Sequence, residues 1–263
     1  MLTLPTGVYK AYKKDGSEYY RASVTYLGKH ISLGSFPSDF CASKAYEAAR
    51  TILDSDISLK DYTTDSYLSF DKWVSLINFR DNKMYFKTPI YLFKKFFLYY
   101  IDKDTHYTFD ADDLFYYSNH KIMRRGGYLF VYDYGMQINI LSRYGIRNYA
   151  VCGRDYRFVN GDTTDYRYKN IEIINKYYGV YEYVKNGRTL YKAKIHINGN
   201  YVIGTYKSET EAATAYNKAV DYLRSKGIKK DYAENYIEGL SAIEYASLYT
   251  QIRISKKLKN AFP

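Results

Sequence analysis

Cysteine is almost missing from this chain. Cys41 and Cys152 are the only two in 263 residues. That excludes a disulfide framework and a cysteine-based zinc site, and it makes a reducing interior the expected compartment. Long apolar runs are missing as well. The most apolar stretch, residues 90–101, is split by Lys94-Lys95 and falls short of the ~20 residues a membrane span needs. The start, Met1-Leu2-Thr3-Leu4-Pro5, has neither the basic region nor the long apolar core of a secretory signal. A cytoplasmic protein without a membrane partner is expected, nucleoid-associated or in an infected cell. Acid is in short supply: 28 Asp and Glu stand against 39 Lys and Arg, leaving a formal charge of +11. Such an excess favours a polyanionic partner; a generally solvated basic surface is the plainer reading. Hydrophobic residues make up 46% of the chain, enough to bury cores in two or three small domains.

What is abundant is tyrosine, with 36 residues. Base-stacking platforms would use it, but Tyr, Lys, Asn and Ile are all common here, as an AT-rich coding sequence produces. Most tyrosines are therefore expected in cores and half-buried strands.

The strongest feature is a module that occurs twice. The first copy reads Gly7-Val8-Tyr9, Tyr20-Arg21-Ala22-Ser23-Val24, Leu33-Gly34-Ser35-Phe36, Ala45-Tyr46. The second reads Gly179-Val180-Tyr181, Tyr191-Lys192-Ala193-Lys194-Ile195, Ile203-Gly204-Thr205-Tyr206, Ala215-Tyr216. A repeat is one supersecondary unit used twice. Each copy predicts three strands and a helix. Asp15-Gly16 and Leu27-Gly28-Lys29 turn the first copy, Asn186-Gly187 and Asn198-Gly199 the second. Alternation puts Ala22, Val24, Ile31 and Leu33 on one face, and Ala193 and Ile195 on the matching face of the second copy. Ser38 caps a helix carrying Ala42, Ala45, Tyr46, Ala49, Ile52 and Leu53. Ser208 and Glu211 form a capping box for a helix whose Ala212, Ala213, Ala215 and Ala219 let it lie close to the sheet.

A sheet covered by a helix on one side leaves its other side free. In the first copy that side carries Arg21, Ser23, Thr25, His30 and Ser32; in the second it carries Lys192, Lys194, His196 and Asn200. These are donors with positive charge, and a narrow sheet fits the DNA major groove. An ordinary solvated sheet face carries the same residue types, so composition leaves both readings open.

The Gly-Val-Tyr, Tyr-Arg-Ala-Ser-Val, Leu-Gly-Ser-Phe and Ala-Tyr pattern resembles the APETALA-type, or ethylene-response-factor, DNA-binding domain, which also occurs in phage and bacterial homing endonucleases. The resemblance covers about half the chain. It implies readout of the major groove by the three-stranded sheet, with base-contacting positions at Tyr9, Ser23, Thr25 and Ser32 and at Tyr181, Tyr183, Lys194, His196 and Val202. Plant members carry Arg and Trp at many of these positions, so their base preference does not transfer.

Between the copies, the run from Tyr156 through Asn160-Gly161-Asp162 and Asp165-Tyr166-Arg167 to Asn170-Ile171-Glu172-Ile173 is similar to the finger of HNH homing nucleases, and residues 112–128 resemble the strands that precede it. The resemblance places the metal-ligand acid at Arg157, the catalytic histidine at Phe158 and a further histidine near Ser142. Only Asn170 remains of the metal set. Histidines occur only at positions 30, 106, 120 and 196, so none stands close in sequence to replace the general base. The expectation is a nuclease-like fold that is not an enzyme, without catalytic residues, metal or other cofactor. Arg143, Arg147, Arg154, Arg157 and Arg167 are candidates for phosphate contacts; pairing with Asp155, Asp162 and Asp165 is the competing expectation. Asp110, Asp112 and Asp113 are read as helix-dipole compensation rather than a metal site.

The sequence thus predicts an α+β chain. Residues 1–55 form one module, 56–80 a linker with a short helix around 67–77 anchored by Trp73, and 81–176 the degenerate HNH-like, ββα-like middle. Residues 177–235 form the second module, and 236–263 a helix opened by Ser241 and Glu244 followed by a basic tail (Arg253, Lys256, Lys257, Lys259) with the composition of a disordered segment. Periodicity does not decide between helix and strand for residues 85–100. The function implied is double-stranded DNA binding, sequence-specific and non-cleaving, in a regulator or a domesticated mobile-element protein. The alternatives are a metal-dependent endonuclease with a rearranged site and a protein-interaction protein. The sequence sets no oligomeric state.

Overall fold

The computed structural model describes residues 4–262; Met1-Leu2-Thr3, part of the start read above, and Pro263 lie outside the described residues. The chain is α+β, built from small antiparallel sheets and a few helices. It divides into two compact units, residues up to Ile140 with Asp162–Asn170, and Leu141–Gly161 with everything from Ile171 onward. Each unit holds one copy of the repeat.

In the first unit, β1 (Val8–Tyr12), β2 (Glu18–Tyr26) and β3 (Lys29–Phe36) form an antiparallel sheet covered by α1 (Asp39–Asp54). Asp15 shapes the first turn by accepting from the Ser17 amide at 2.9 Å and its hydroxyl at 2.6 Å. The second turn has positive φ at both Leu27 (45°) and Gly28 (74°), the primed geometry that matches strand twist. Ser38 caps α1 through the Cys41 amide. Val8, Ala22, Val24, Ile31 and Leu33 meet Ala42, Ala45, Ala49, Ile52 and Leu53 in one core. Alanine at three of these helix positions removes the bulk that would hold α1 away from the sheet.

The stretch expected as a linker belongs to this core. A 3-10 turn at Leu59–Asp61 leads to α2 (Phe70–Asn82), which starts later than the sequence suggests because Ser69 supplies the N-terminal cap and ends later because Lys83, in the left-handed region, closes it. Leu68, Trp73, Leu76, Ile77 and Phe79 join the residues beneath the first sheet. The module alone is too small to close its apolar side, and a second helix completes it.

Residues 85–100 contain two strands, β4 (Ile90–Leu92) and β5 (Phe96–Tyr100), which pair with β6 (His106–Asp110). The expected run of strands from residue 112 begins instead with a 3-10 turn (Ala111–Asp113) and α3 (Leu114–Asn119). A second sheet follows: β7 (Met123–Arg125), β8 (Tyr128–Asp133) and β9 (Met136–Asn139). The acidic cluster has structural work here. Asp110 accepts from the Tyr168 amide at 2.7 Å, and Asp113, 1% exposed, accepts from the Tyr168 hydroxyl at 3.3 Å.

The finger-like segment is divided between the units. β10 (Tyr156–Phe158) and β11 (Ile171–Ile173) pair in the second. The loop Asp162–Asn170 belongs to the first, because Thr108 donates to the Thr164 carbonyl at 2.9 Å and accepts from the Tyr166 amide at 2.8 Å. Tyr166 adds its ring to Phe109 at 5.6 Å. Among the described residues no helix follows β11 before the next strand, so the expected ββα-like middle is a strand pair without its third element.

In the second unit, β12 (Val180–Lys185), β13 (Arg188–His196) and β14 (Asn200–Tyr206) lie under α4 (Glu209–Ser225), opened by the Ser208–Glu211 capping box. Residues beyond 225 stay attached. Asn217 on α4 exchanges two hydrogen bonds with the Asn235 backbone, at 2.8 and 2.9 Å. α5 (Ala242–Gln251) has its Ser241–Glu244 box. The basic tail, expected to lack structure, forms α6 (Lys256–Ala261). Ile254 and the fully buried Leu258 enter the module core, and the Ser255 amide donates to the Ile203 carbonyl at 2.7 Å. Ile252 and Phe262 pack against the same core, and the Tyr206 and Tyr222 hydroxyls donate to the carbonyls of Arg253, Lys259 and Phe262, so apolar burial and hydrogen bonds together hold the segment down.

Candidate nucleic-acid interface

The two sheets are the same object residue by residue. Tyr9 pairs with Arg21, and Arg21 with Ser35; Tyr181 pairs with Lys192, and Lys192 with Thr205. One step along, Ser23 faces Ser32 and Lys194 faces Val202. At the far end Thr25 faces His30 and His196 faces Asn200. A register shift falls at the same place in both, between Ala22 and Ser23 and between Ala193 and Lys194. A bulge of this kind increases local twist, so both faces carry the same curvature.

The repeated Gly and Tyr explain each other. Gly7 has φ +74°, and a Cβ there would stand 2.3 Å from the Tyr46 ring and 2.6 Å from the Ser23 carbonyl. Gly179 has φ +67°, and its Cβ would stand 2.4 Å from the Tyr216 ring and 2.3 Å from the Lys194 carbonyl. Their carbonyls accept from the amides of Ser23 at 2.9 Å and Lys194 at 2.7 Å. Each glycine therefore locks the first strand, the bulge and the helix together where only a hydrogen fits. Burial pushes the Tyr216 hydroxyl up to about 12.

On these frames the free faces differ. In the first, Tyr9, Arg21, Thr25, His30 and Ser32 are exposed. Ser23 is not: it is 8% exposed, and its Oγ is buried without a partner. A short side chain in the middle of the face, among Tyr9, Arg21, His30 and Ser32, becomes the floor of a hollow of about 300 Å³. Thr25 Oγ1 and His30 Nδ1 lie 3.5 Å apart. In the second, Lys194 occupies the Ser23 position. Its Nζ lies 5.3 Å from the centre of the Tyr181 ring, and that of Lys192 4.8 Å from the Tyr183 ring. His196 Nδ1 is 3.2 Å from Asn200 Oδ1. The Arg154 guanidinium lies 5.4 Å from the Tyr181 ring, so an arginine from the preceding segment joins this face. Sequence spacing gave no sign of that contact.

The arginine candidates are mostly tied to acids. Arg147 (side chain 8% exposed) and Arg154 both bond Asp155, at 2.6 and 2.7 Å. Burial alone would raise the Asp155 carboxyl. Hydrogen bonds from Arg154 and the Val151 amide, with the Arg147 charge, outweigh it and hold the group below its ordinary value. Arg167 pairs with Asp165 at 2.6 Å and Arg157 with Glu172 at 2.7 Å. Glu172, outside the three acids expected as partners, neutralises Arg157 across the strand pair because Arg157 and Glu172 are in register. Arg143 lies in a 3-10 turn at Ile140–Tyr144, as does Ser142.

The positions matched to nuclease chemistry do other work. Phe158 is buried at 8% exposure, and Arg157 is held by its ion pair. Asn170, 3% exposed, donates to the Asp165 carbonyl at 2.8 Å, bracing the loop. Among the described residues no group of three or more His, Cys, Asp or Glu side chains is placed to hold a metal ion, and no helix is long and apolar enough to cross a membrane. No protein-family model matches the chain, and neither a curated protein nor a solved structure matches it.

Proposed function

We propose that the protein binds double-stranded DNA through the free faces of its two equivalent sheets and does not cleave it. The observation that carries this reading is the position-by-position equivalence of two helix-backed sheets whose uncovered sides present donors and cations. A chain with charge +11 is drawn to phosphates, and release of condensed counterions supplies the sequence-independent part of the affinity. Arg21, Lys192 and Lys194 are long enough to reach guanine O6 and N7 in the major groove, while Thr25, His30, His196 and Asn200 add shorter donors and acceptors. Two modules on one chain raise the effective concentration of the second contact. The non-cleaving part rests on residue identity: a buried phenylalanine and an ion-paired arginine stand where the resembled nucleases need a base and a metal ligand. A regulatory role, and descent from a homing-type HNH endonuclease, belong to the same proposal.

The test is binding of the purified chain to a random duplex pool across a salt series, with and without Mg²⁺, followed by sequencing of the bound fraction. Salt-sensitive retention with an enriched motif and intact strands is expected. Cut strands in Mg²⁺ would replace the reading with an endonuclease, and absence of binding at low salt would leave a protein-interaction role.

A further inference from the structure

In the first unit β4 and β5 are joined by Lys94-Lys95, and the Phe93 amide closes the turn on the Phe96 carbonyl at 2.9 Å. The rings of Phe93 and Phe96 stack with centroids 4.7 Å apart and 14° between planes. Phe93 is 41% exposed, whereas the nearby Phe97 and Phe109 are fully buried. The Arg167 guanidinium lies 5.7 Å from the centre of the Phe96 ring. These side chains, with Lys169 and Asp110, line a cleft of about 500 Å³. Four of the seven lining residues are cations and one is an acid. Among the described residues Lys94, Lys95 and Lys169 enter no ion pair. Asp110 already accepts from the Tyr168 amide, and Arg167 is fixed by Asp165.

We propose that this cleft binds an unpaired nucleotide of a nucleic-acid strand, with the phosphodiester at Lys94, Lys95 and Lys169 and the base on the Phe93–Phe96 stack. Three features carry the assignment. Unpaired lysines at a turn attract a polyanion. The exposed Phe93 ring, backed by the half-buried Phe96, gives up burial, which a base restores by stacking. The bases of a duplex already stack on each other, so an aromatic platform reaches only an unpaired one. The volume is that of a small-ligand site. The inference rests on the nucleic-acid reading and adds to it a strand form that the two sheets do not address.

The experiment uses the full chain, a labelled oligothymidylate and a blunt duplex, followed by fluorescence anisotropy over a salt series. Phe93→Ala is expected to weaken oligothymidylate binding about ten-fold and leave duplex binding unchanged. Lys94→Ala with Lys95→Ala is expected to reduce the magnitude of the oligothymidylate salt slope by about 1.4. Phe93→Trp keeps a stacking surface, and its fluorescence should be quenched by the oligonucleotide; this reads the site even if the alanine variant folds poorly. Unchanged oligothymidylate affinity in Phe93→Ala, together with no quenching in Phe93→Trp, would overturn the inference. So would competition by free thymidine monophosphate or a poly-glutamate peptide as effective as that of the strand, which would make the cleft a mononucleotide or general anion site. If Lys192→Ala with Lys194→Ala still weakens duplex binding in those cases, the sheet reading stands without the cleft. If neither strand form binds wild type, both readings fall.

Discussion

The two sheet modules share a skeleton and differ in skin. Gly7 and Gly179, Ala22 and Ala193, Ala45 and Ala215, and Tyr46 and Tyr216 hold the same places in the same contacts. On the free side Arg21, Ser23, Thr25 and Ser32 correspond to Lys192, Lys194, His196 and Val202. One face is a hollow rimmed by one guanidinium; the other is a layer of lysines lying over tyrosine rings. The repeated residues preserve a shape, and the residues free to change set what the shape touches. The modules also complete their cores differently. The first recruits α2 behind it, while the second recruits the C-terminal segment and is joined to the Arg147–Asp155–Arg154 cluster before it.

That last asymmetry gives the largest expected effect. Asp155→Ala leaves Arg147 buried without its carboxylate and should destabilise the second unit by about 3–5 kcal/mol. Hydrogen exchange should show the loss in β12–β14 and none in β1–β3; equal loss in both would mean the units do not unfold separately. The same group predicts a pH dependence. Its folded pKa is depressed, so its stabilisation is full above the ordinary carboxylate range and is lost as pH falls through the lowered value. Urea midpoints of wild type should therefore drop below about pH 4, and those of Asp155→Asn should drop less.

The shared skeleton is tested by Gly7→Ala and Gly179→Ala. Both add a methyl against a ring and a carbonyl at positive φ, at about 2–4 kcal/mol each. Similar losses in the two units would confirm that the glycines have one role. A much smaller loss for Gly7 would break the equivalence.

The faces are separated by salt dependence. Lys192→Ala with Lys194→Ala should reduce the magnitude of the duplex-binding slope by about 1.8, and Arg21→Ala by about 0.9, if each side chain meets one phosphate. Lost affinity with a relaxed sequence preference and little change in slope would instead assign these side chains to bases. The smallest effect is expected at Arg157→Ala. Its partner Glu172 already neutralises it, so both the unfolding midpoint and the salt slope should stay at wild type. A fall in slope would return Arg157 to the phosphate contacts.

Much of this is legible in the chain itself. The turn at Asn186-Gly187, the caps at Ser38, Ser208 and Ser241, and the alternation along Ala22 to Val24 and Ala193 to Ile195 are local signals, each spelled by neighbours in sequence. Where sequence reasoning failed, the deciding contacts were distant. Residues 56–80 read as a linker with a short helix anchored by Trp73, and the pattern left open what Trp73 and Ile77 anchor to, since their partners lie in the distant first sheet. The tail has the composition of a disordered segment because its lysines outnumber Ile254 and Leu258, yet those two are buried in the module core and tyrosine hydroxyls bond its backbone. Alternation places Ser23 on the exposed side because it gives the side of a strand and not the height of the neighbours, which leave Ser23 8% exposed.

Local sequence is sufficient for two sheet-plus-helix modules, the inward and outward faces of each, and the absence of a histidine at the finger-like segment. Those follow from periodicity, turn chemistry and residue identity, which act over a few residues. Tertiary structure alone decided that residues 162–170 belong to the first unit while the flanking strands belong to the second. It also decided that Arg154 reaches Tyr181, and that Phe93, three lysines and Arg167 share a cleft. Such outcomes depend on which distant surfaces exclude water from each other, and a linear pattern does not encode that pairing.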